Sequence, residues 1–166
     1  MELILDLDIK KCVGCGACAV ACMDQNDFDI RLNQFRTVTN LEETVNGKLK
    51  YTSISITCMH CEEAPCIASC PAGCISKDPE TNLTVVDNSN CIGCHSCAMA
   101  CPFGAPNFNA VGKMIKCDGC IDRVKHDMQP ACVQICPFDA LKMYDKQTYQ
   151  QQKVEKSLHQ ITRVML

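Results

Sequence analysis

Sixteen of the chain's 17 cysteines fall into four runs of four. The runs are Cys12, Cys15, Cys18 and Cys22; Cys58, Cys61, Cys66 and Cys70; Cys91, Cys94, Cys97 and Cys101; and Cys117, Cys120, Cys132 and Cys136. Three of them end in Cys-Pro, at Pro71, Pro102 and Pro137. The first and third read C-x2-C-x2-C-x3-C, a spacing at which thiolates hold the irons of [4Fe–4S] cubanes. A cubane with four cysteine ligands offers no open iron to a substrate, so this pattern implies the movement of electrons.

Other chemistries for the same residues are weaker. Four-cysteine zinc sites use two separated C-x2-4-C pairs, whereas C-x2-C-x2-C crowds three ligands together. A disulfide scaffold belongs to oxidising compartments. Here the cysteine count is odd, and residues 1–8 are acidic with no basic lead, unlike an export leader. The leftover thiol, Cys74, reads as a small buried hydrophobe. His60 and His95 sit inside ligand loops, where they either hydrogen-bond a cluster sulfur or simply shield it from water. Asp118, Asp122, Lys116 and Arg123 flank the fourth run as solvated or charge-balancing groups. There is no dinucleotide fingerprint and no nucleophile–base pair in a supporting context, so on its own the chain is not expected to be an enzyme.

Composition narrows the setting. The apolar fraction of 47% is inflated by cysteine, and the aromatics are five Phe and three Tyr with no Trp. So modest a core needs metal cross-links to hold one structure. A net charge of −3 without a Lys/Arg run gives nucleic acid little purchase. No stretch has the length of a membrane span. A reduced, cytoplasmic, oxygen-poor setting is the expectation.

The elements that must position the thiolates are short. Residues 3–7 and 140–144 read as apolar strands framing the cysteine runs. Residues 53–57 alternate, with Ile54 and Ile56 on one face. Asp78-Pro79-Glu80-Thr81-Asn82 predicts a turn between strands at 75–77 and 83–86. Asn46-Gly47 predicts a second hairpin, inside residues 23–57, which look like an insertion. The third and fourth cysteines of the first and third runs are four apart, about 6 Å along one helix face. Three cysteines of a run therefore suit one cluster, while the fourth reaches across to a neighbour. Gly14, Gly93 and Gly119 suit tight C-x-G-C loops. Met23 stands where the other runs have proline, so the first helix lacks that stop. Residues 146–166 read as a helix with Val154, Leu158, Ile161 and Met165 on one stripe.

The segments Cys58-Met59-His60-Cys61-Glu62-Glu63-Ala64-Pro65-Cys66, Ala100-Cys101-Pro102-Phe103-Gly104-Ala105-Pro106 and Lys116-Cys117-Asp118-Gly119-Cys120 resemble the iron–sulfur subunits of the dimethyl sulfoxide reductase family. Related subunits serve formate dehydrogenases, formate-linked hydrogenase complexes and tungsten aldehyde oxidoreductases. The resemblance implies an α+β fold of two nested, pseudo-twofold ferredoxin-like units carrying four [4Fe–4S] clusters. The outer unit would be residues 1–52 and 110–145, the inner unit 53–109, and the helical tail 146–166. It further implies four ligand sets: Cys12, Cys15 and Cys18 with Cys136; Cys117, Cys120 and Cys132 with Cys22; Cys58, Cys61 and Cys66 with Cys101; and Cys91, Cys94 and Cys97 with Cys70. The implied partner is a large molybdenum- or tungsten-pterin subunit. Other iron–sulfur or hydrogenase subunits, or copies of the chain itself, could join through the tail. The membrane-anchor contacts that a longer C-terminal extension supplies in relatives are not expected. A free polyferredoxin and a filament-forming wire are the competing functions, but diffusible carriers are usually more acidic, because charge steers brief docking.

Overall fold

The computed structural model describes residues 2–28 and 34–165. The apolar ends of the chain meet first. Strand β1 (Leu3–Leu7) pairs antiparallel with the last strand, Leu141–Asp145, from Leu3↔Asp145 to Leu7↔Leu141. Leu3, Leu5 and Leu141 are buried in that ladder, so the two strands read from the sequence as framing the cysteine runs pair with each other.

Helix α1 (Ala17–Gln25) follows the first cysteine loop and carries Cys18 and Cys22, both buried. With Met23 in place of proline it runs three residues beyond Cys22, as the sequence implied. Strands β2 (Thr37–Val45) and β3 (Lys48–Ile56) then form a hairpin on Asn46-Gly47, with φ of 52° and 74°. Positive φ at both positions is what a two-residue hairpin turn requires. Its arms are nine residues each and its outer half is exposed. On the predicted alternating segment the buried side chains are Ser55 and Thr57, 4% and 2% exposed, and Ile54 and Ile56 are only half-buried. That side of β3 faces a cysteine cavity, where a hydroxyl has a partner.

The middle of the chain repeats the plan in smaller pieces: α2 (Pro65–Ala68), β4 (Ile75–Lys77), β5 (Thr84–Val86) and α3 (Ser96–Ala100). The β4–β5 turn is closed by Asp78, whose Oδ1 accepts from Thr81 N (2.9 Å) and Thr81 Oγ1 (2.9 Å). Two-residue strands β6 (Asn107–Phe108) and β7 (Met114–Ile115) pair next. Then come α4 (Ile121–Lys125), α5 (Ala131–Gln134) and β8, the Leu141–Asp145 strand. Every ladder among the described residues is a two-stranded antiparallel pair, so the architecture is α+β.

Thiols are part of the core. One buried cluster joins Ile75 and Met114 to Cys66, Cys74 and Cys97, and another joins Leu141 to Cys18 and Cys132. Among the described residues, the C-terminal helix α6 (Lys146–Met165) is tied to the rest of the chain at its start. Lys146 N donates to Glu2 O (2.8 Å), its Nζ pairs with Glu2 (2.8 Å) and Glu62 (2.6 Å), and Tyr149 Oη donates to Asp6 (3.2 Å). Farther along, Val154 and Leu158 are each 59% exposed. The side chains of Ile161 and Met165, predicted to continue that stripe, lie outside the described residues.

Candidate iron–sulfur sites

Three hollows of similar size are lined by thiols. The first, about 350 Å³, gathers Cys12, Cys15, Cys18 and Cys136. The second, about 370 Å³, gathers Cys22, Cys117, Cys120 and Cys132. Another, about 320 Å³, gathers Cys70, Cys91, Cys94 and Cys97, the fourth quartet, with Cys74 beside them. In the remaining quartet, Cys66 feels the charges of Cys101 and Cys58 those of Cys66 and Cys61. Each grouping takes three cysteines from one run and the last from another. Among the described residues no three His, Cys, Asp or Glu side chains converge on a single-ion site.

The loops owe their shape to left-handed backbone. Gly93 has φ +65°, and a Cβ there would stand 2.7 Å from the carbonyl oxygen of Gly112. Only glycine meets both demands. After each Cys-Pro the chain makes the same turn. The residue three on from the cysteine is left-handed at Gly73 (φ 61°), Gly104 (φ 61°) and Asp139 (φ 50°). The next amide then points at the cysteine sulfur: Cys74 N to Cys70 Sγ (3.3 Å), Ala105 N to Cys101 Sγ (3.5 Å) and Ala140 N to Cys136 Sγ (3.3 Å). Proline stops the helix so that this amide is free to turn inward. Met114 N to Cys91 Sγ (3.3 Å) and Gly119 N to Cys117 Sγ (3.4 Å) add further donors. Amides aimed at sulfur stabilise the negative charge that thiolate-ligated clusters carry.

Burial acts against ionisation of these thiols. Burial, reinforced by the neighbouring Cys117 and Cys132, pushes the Cys22 thiol up to about 12. Burial raises Cys120 to about 11 and raises Cys58 and Cys117 as well. Thiolates packed this closely are stable when iron sits between them, because metal coordination deprotonates the thiol outright. The thiol donor sets and the amides aimed at their sulfurs fit [4Fe–4S] chemistry.

The flanking residues sort differently from one another. His60 is buried, 6% exposed, and belongs to no solvent shield alone. Its Nδ1 accepts from Thr84 N (3.0 Å), which leaves Nε2 as the protonated nitrogen, 3.8 Å from Cys117 Sγ. Burial and the nearby Lys116 hold the imidazole down at about 3, hence neutral. His95 is exposed and stacks on Phe108, ring centroids 3.7 Å apart. Lys116 is buried and donates to the carbonyls of Thr84 and Cys117. Arg123 instead braces α4 through Gln129 O (2.9 Å) and the side chains of Gln25 and Gln134. Asp118 caps Cys120 N (2.8 Å). Cys74 is a buried thiol, 6% exposed, as expected. Three residues escaped the sequence reading: Asn26, Arg36 and Ser55. All three lie within the supposed insertion, where no cysteine advertised a role.

Comparison with known proteins agrees with this chemistry. Residues 49–146 match the 4Fe-4S dicluster domain family, and residues 9–23 match a 4Fe-4S binding domain. The chain is 40% identical to one of the polypeptides of the anaerobic dimethyl sulfoxide reductase of Escherichia coli (strain K12), over 81% of this chain and 69% of that protein. It is 40% identical to the thiosulfate reductase electron transfer subunit of Salmonella typhi, over 81% and 71% respectively. With a sulfite dehydrogenase subunit of Allochromatium vinosum the identity is 34%, over 84% and 67%. This protein belongs to the family of [4Fe–4S] iron–sulfur subunits that includes the matching polypeptide of dimethyl sulfoxide reductase.

Proposed function

We propose that the chain is an electron-transfer subunit carrying four [4Fe–4S] clusters in a row, relaying electrons to or from a molybdenum- or tungsten-pterin catalytic subunit. The ligand sets are the four quartets named above, arranged on two nested ferredoxin-like units. Each cluster, when bound, takes up and releases one electron at a time. The chain's own residues hold it by four thiolates, aim amides at its sulfurs and wall it from water.

The observation that carries the reading is where the quartets touch and where they open. Cys132 of the second quartet feels the charge of Cys18 in the first, and Cys117 feels that of Cys58 in the third. Cys66 and Cys97 share one buried cluster, which joins the third quartet to the fourth. Exposed cysteines occur only at the two ends of that row, Cys15 in the first quartet and Cys94 in the fourth. Apolar side chains stand exposed near each, Val13 and Phe138 at one end and Ile92 at the other. A row with two open ends and a covered middle suits passage between two partners. Seventeen thiols also suit a reducing compartment.

The test is native purification without oxygen. Iron and acid-labile sulfide are each expected at about 16 per chain, in a complex with a larger pterin-bearing polypeptide. Zinc in place of iron overturns the cluster reading. Full iron in a chain that elutes alone favours a free polyferredoxin.

A further inference from the structure

Arg36 is among the most buried large side chains of the protein, 1% exposed. It lies on the hollow of Cys22, Cys117, Cys120 and Cys132. Its Nη1 donates to Ser55 Oγ (2.8 Å), and that hydroxyl lies 3.2 Å from Cys18 Sγ, in the first quartet. Its Nη2 is buried and has no hydrogen-bond partner among the described residues. No carboxylate pairs with Arg36 among them either; Asp118, the carboxylate on the same hollow, is engaged with Cys120 N (2.8 Å). The segment is pinned in place, since Thr57 Oγ1 donates to Phe35 O (2.7 Å) and Asn107 Nδ2 to Gln34 O (3.1 Å).

A guanidinium stays charged in any protein, and a buried unpaired charge costs several kcal/mol. Among the described residues, the anions that answer it are the thiolates of the hollow on which it lies, Cys22, Cys117, Cys120 and Cys132. A cysteine ligating iron is an acceptor only, so the Ser55 hydroxyl points its hydrogen at Cys18 and receives one from Arg36. We propose that Arg36 is a counter-cation shared by the two outer quartets, its Nη2 facing the Cys22, Cys117, Cys120 and Cys132 cage and its Nη1 polarising Ser55 toward Cys18. The inference rests on the cluster assignment proposed above. Each cage gains one negative charge when it accepts one electron from its donor. Arg36 remains protonated throughout, and no bond or proton is exchanged. It therefore stabilises the reduced form of both cages and moves their potentials upward, a lever that charge and hydrogen bonds to sulfur supply.

The experiment is an oxygen-free redox titration of the holo-protein, each cluster followed by its paramagnetic signal. It compares the wild type with Arg36→Met, Arg36→Lys and Ser55→Ala, with iron measured in every sample. In Arg36→Met two of four midpoints move negative, and the larger shift is at least tenfold in reduction equilibrium, 59 mV for one electron. In Ser55→Ala only one of those two midpoints moves, and by less. In Arg36→Lys one is largely restored, because an ammonium keeps the charge without the fork that reaches both ways. Unmoved midpoints with full iron in Arg36→Met overturn the proposal, as does an equal shift of all four. Should Arg36→Met lose iron, Arg36→Lys and Ser55→Ala decide: unmoved midpoints in both overturn it. A wild type without about 16 irons overturns the cluster assignment instead.

Discussion

Asn26 Nδ2 donates to Cys22 O (2.7 Å) and lies 3.8 Å from Cys22 Sγ. It stands four residues after the last cysteine of its run, where Cys74, Ala105 and Ala140 stand in theirs. Those three turn a backbone amide onto sulfur because proline has ended the helix. In the first run the helix continues past Cys22, and a side-chain amide serves in place of the backbone one.

Asn26→Leu is therefore expected to disturb one cluster alone, the one that Cys22 would complete with Cys117, Cys120 and Cys132. Its paramagnetic signal should shift while the other three stay in place. Met23→Pro should be worse, losing about 3 kcal/mol by placing proline inside a helix. Denaturant unfolding without oxygen measures that loss. A neutral Met23→Pro would show that the helix does not need to continue.

Cross-ligation makes a sharper prediction. Cys22→Ser should cost the cluster of the fourth run's cysteines, although Cys22 belongs to the first run. The cluster of Cys12, Cys15 and Cys18 should survive, and iron should fall to about three quarters of the wild-type content. Cys74→Ala should retain full iron, its buried thiol being a packing group. The opposite pattern, with the first cluster lost, would mean that each run ligates by itself.

Two glycines separate backbone strain from steric overlap. Both Gly16 (φ +78°) and Gly93 (φ +65°) are left-handed, but a Cβ at Gly16 meets nothing within 4 Å. Gly16→Ala should cost only the conformational penalty, about 1 kcal/mol. Gly93→Ala adds overlap with the backbone oxygen of Gly112, 2.7 Å away, and should cost clearly more, with partial loss of iron from the fourth quartet. Equal stability of the two variants would contradict the placement of Gly112 against the loop.

The Asp78–Lys125 pair joins the β4–β5 turn to helix α4 (2.8 Å). Hydrogen bonding to Lys125, with Thr81 adding to it, lowers Asp78 from 3.8 to about 2. A carboxyl lowered in the folded state stabilises above its unfolded value, and that contribution is lost as pH falls through about 4 to about 2. Lys125 is 37% exposed on its side chain, so solvent screens the pair and keeps its contribution small. Asp78→Asn should lower stability slightly at pH 7. The gap from wild type should close as the solution is acidified, in unfolding curves followed at early times before acid attacks the clusters. A gap that widens on acidification would reverse the sign.

How much of this was legible in the sequence follows from what the residues do locally. The strands near either end, the Asn46-Gly47 and Asp78-to-Asn82 turns, the helix through Cys18 and Cys22, and the C-terminal helix each rest on short-range chemistry and each is present, whereas the pairing of β1 with β8 joins residues far apart in sequence. The grouping of thiols needed more, because fourth cysteines act at a distance and only the family resemblance paired them. Arg36, Ser55 and Asn26 carried no visible signal: one arginine, one serine and one asparagine among many, brought to sulfur by the tertiary fold. The alternation at Ile54 and Ile56 suggested an apolar face, yet Ser55 and Thr57 are the buried ones, since their hydroxyls have partners there: Ser55 with Arg36 and Cys18, Thr57 with Phe35 O. His60 was seen as either a sulfur partner or a shield. Its fixed Nδ1 contact to Thr84 N directs the other nitrogen at Cys117.

The last prediction concerns the helix α6. Its contacts with the rest of the chain gather at Lys146 and Tyr149, which hold Glu2, Glu62 and Asp6. Val154 and Leu158, one turn apart on the same face, stay mostly exposed. Removing residues 150–166 leaves every thiol, every sulfur-directed amide named above and the β1–β8 ladder untouched. The truncated protein should therefore keep its iron, its visible absorbance and its unfolding midpoint. The detached segment would gain little helix by itself, since helices of about 12 to 15 residues are marginal in water without a surface to pack on. In the native complex the same deletion tests what the exposed face is for, by whether the truncated protein still co-purifies with its partner. Loss of assembly with clusters intact would assign the face to docking. Loss of iron or of stability would instead place the helix in the core, contrary to the exposure of Val154 and Leu158.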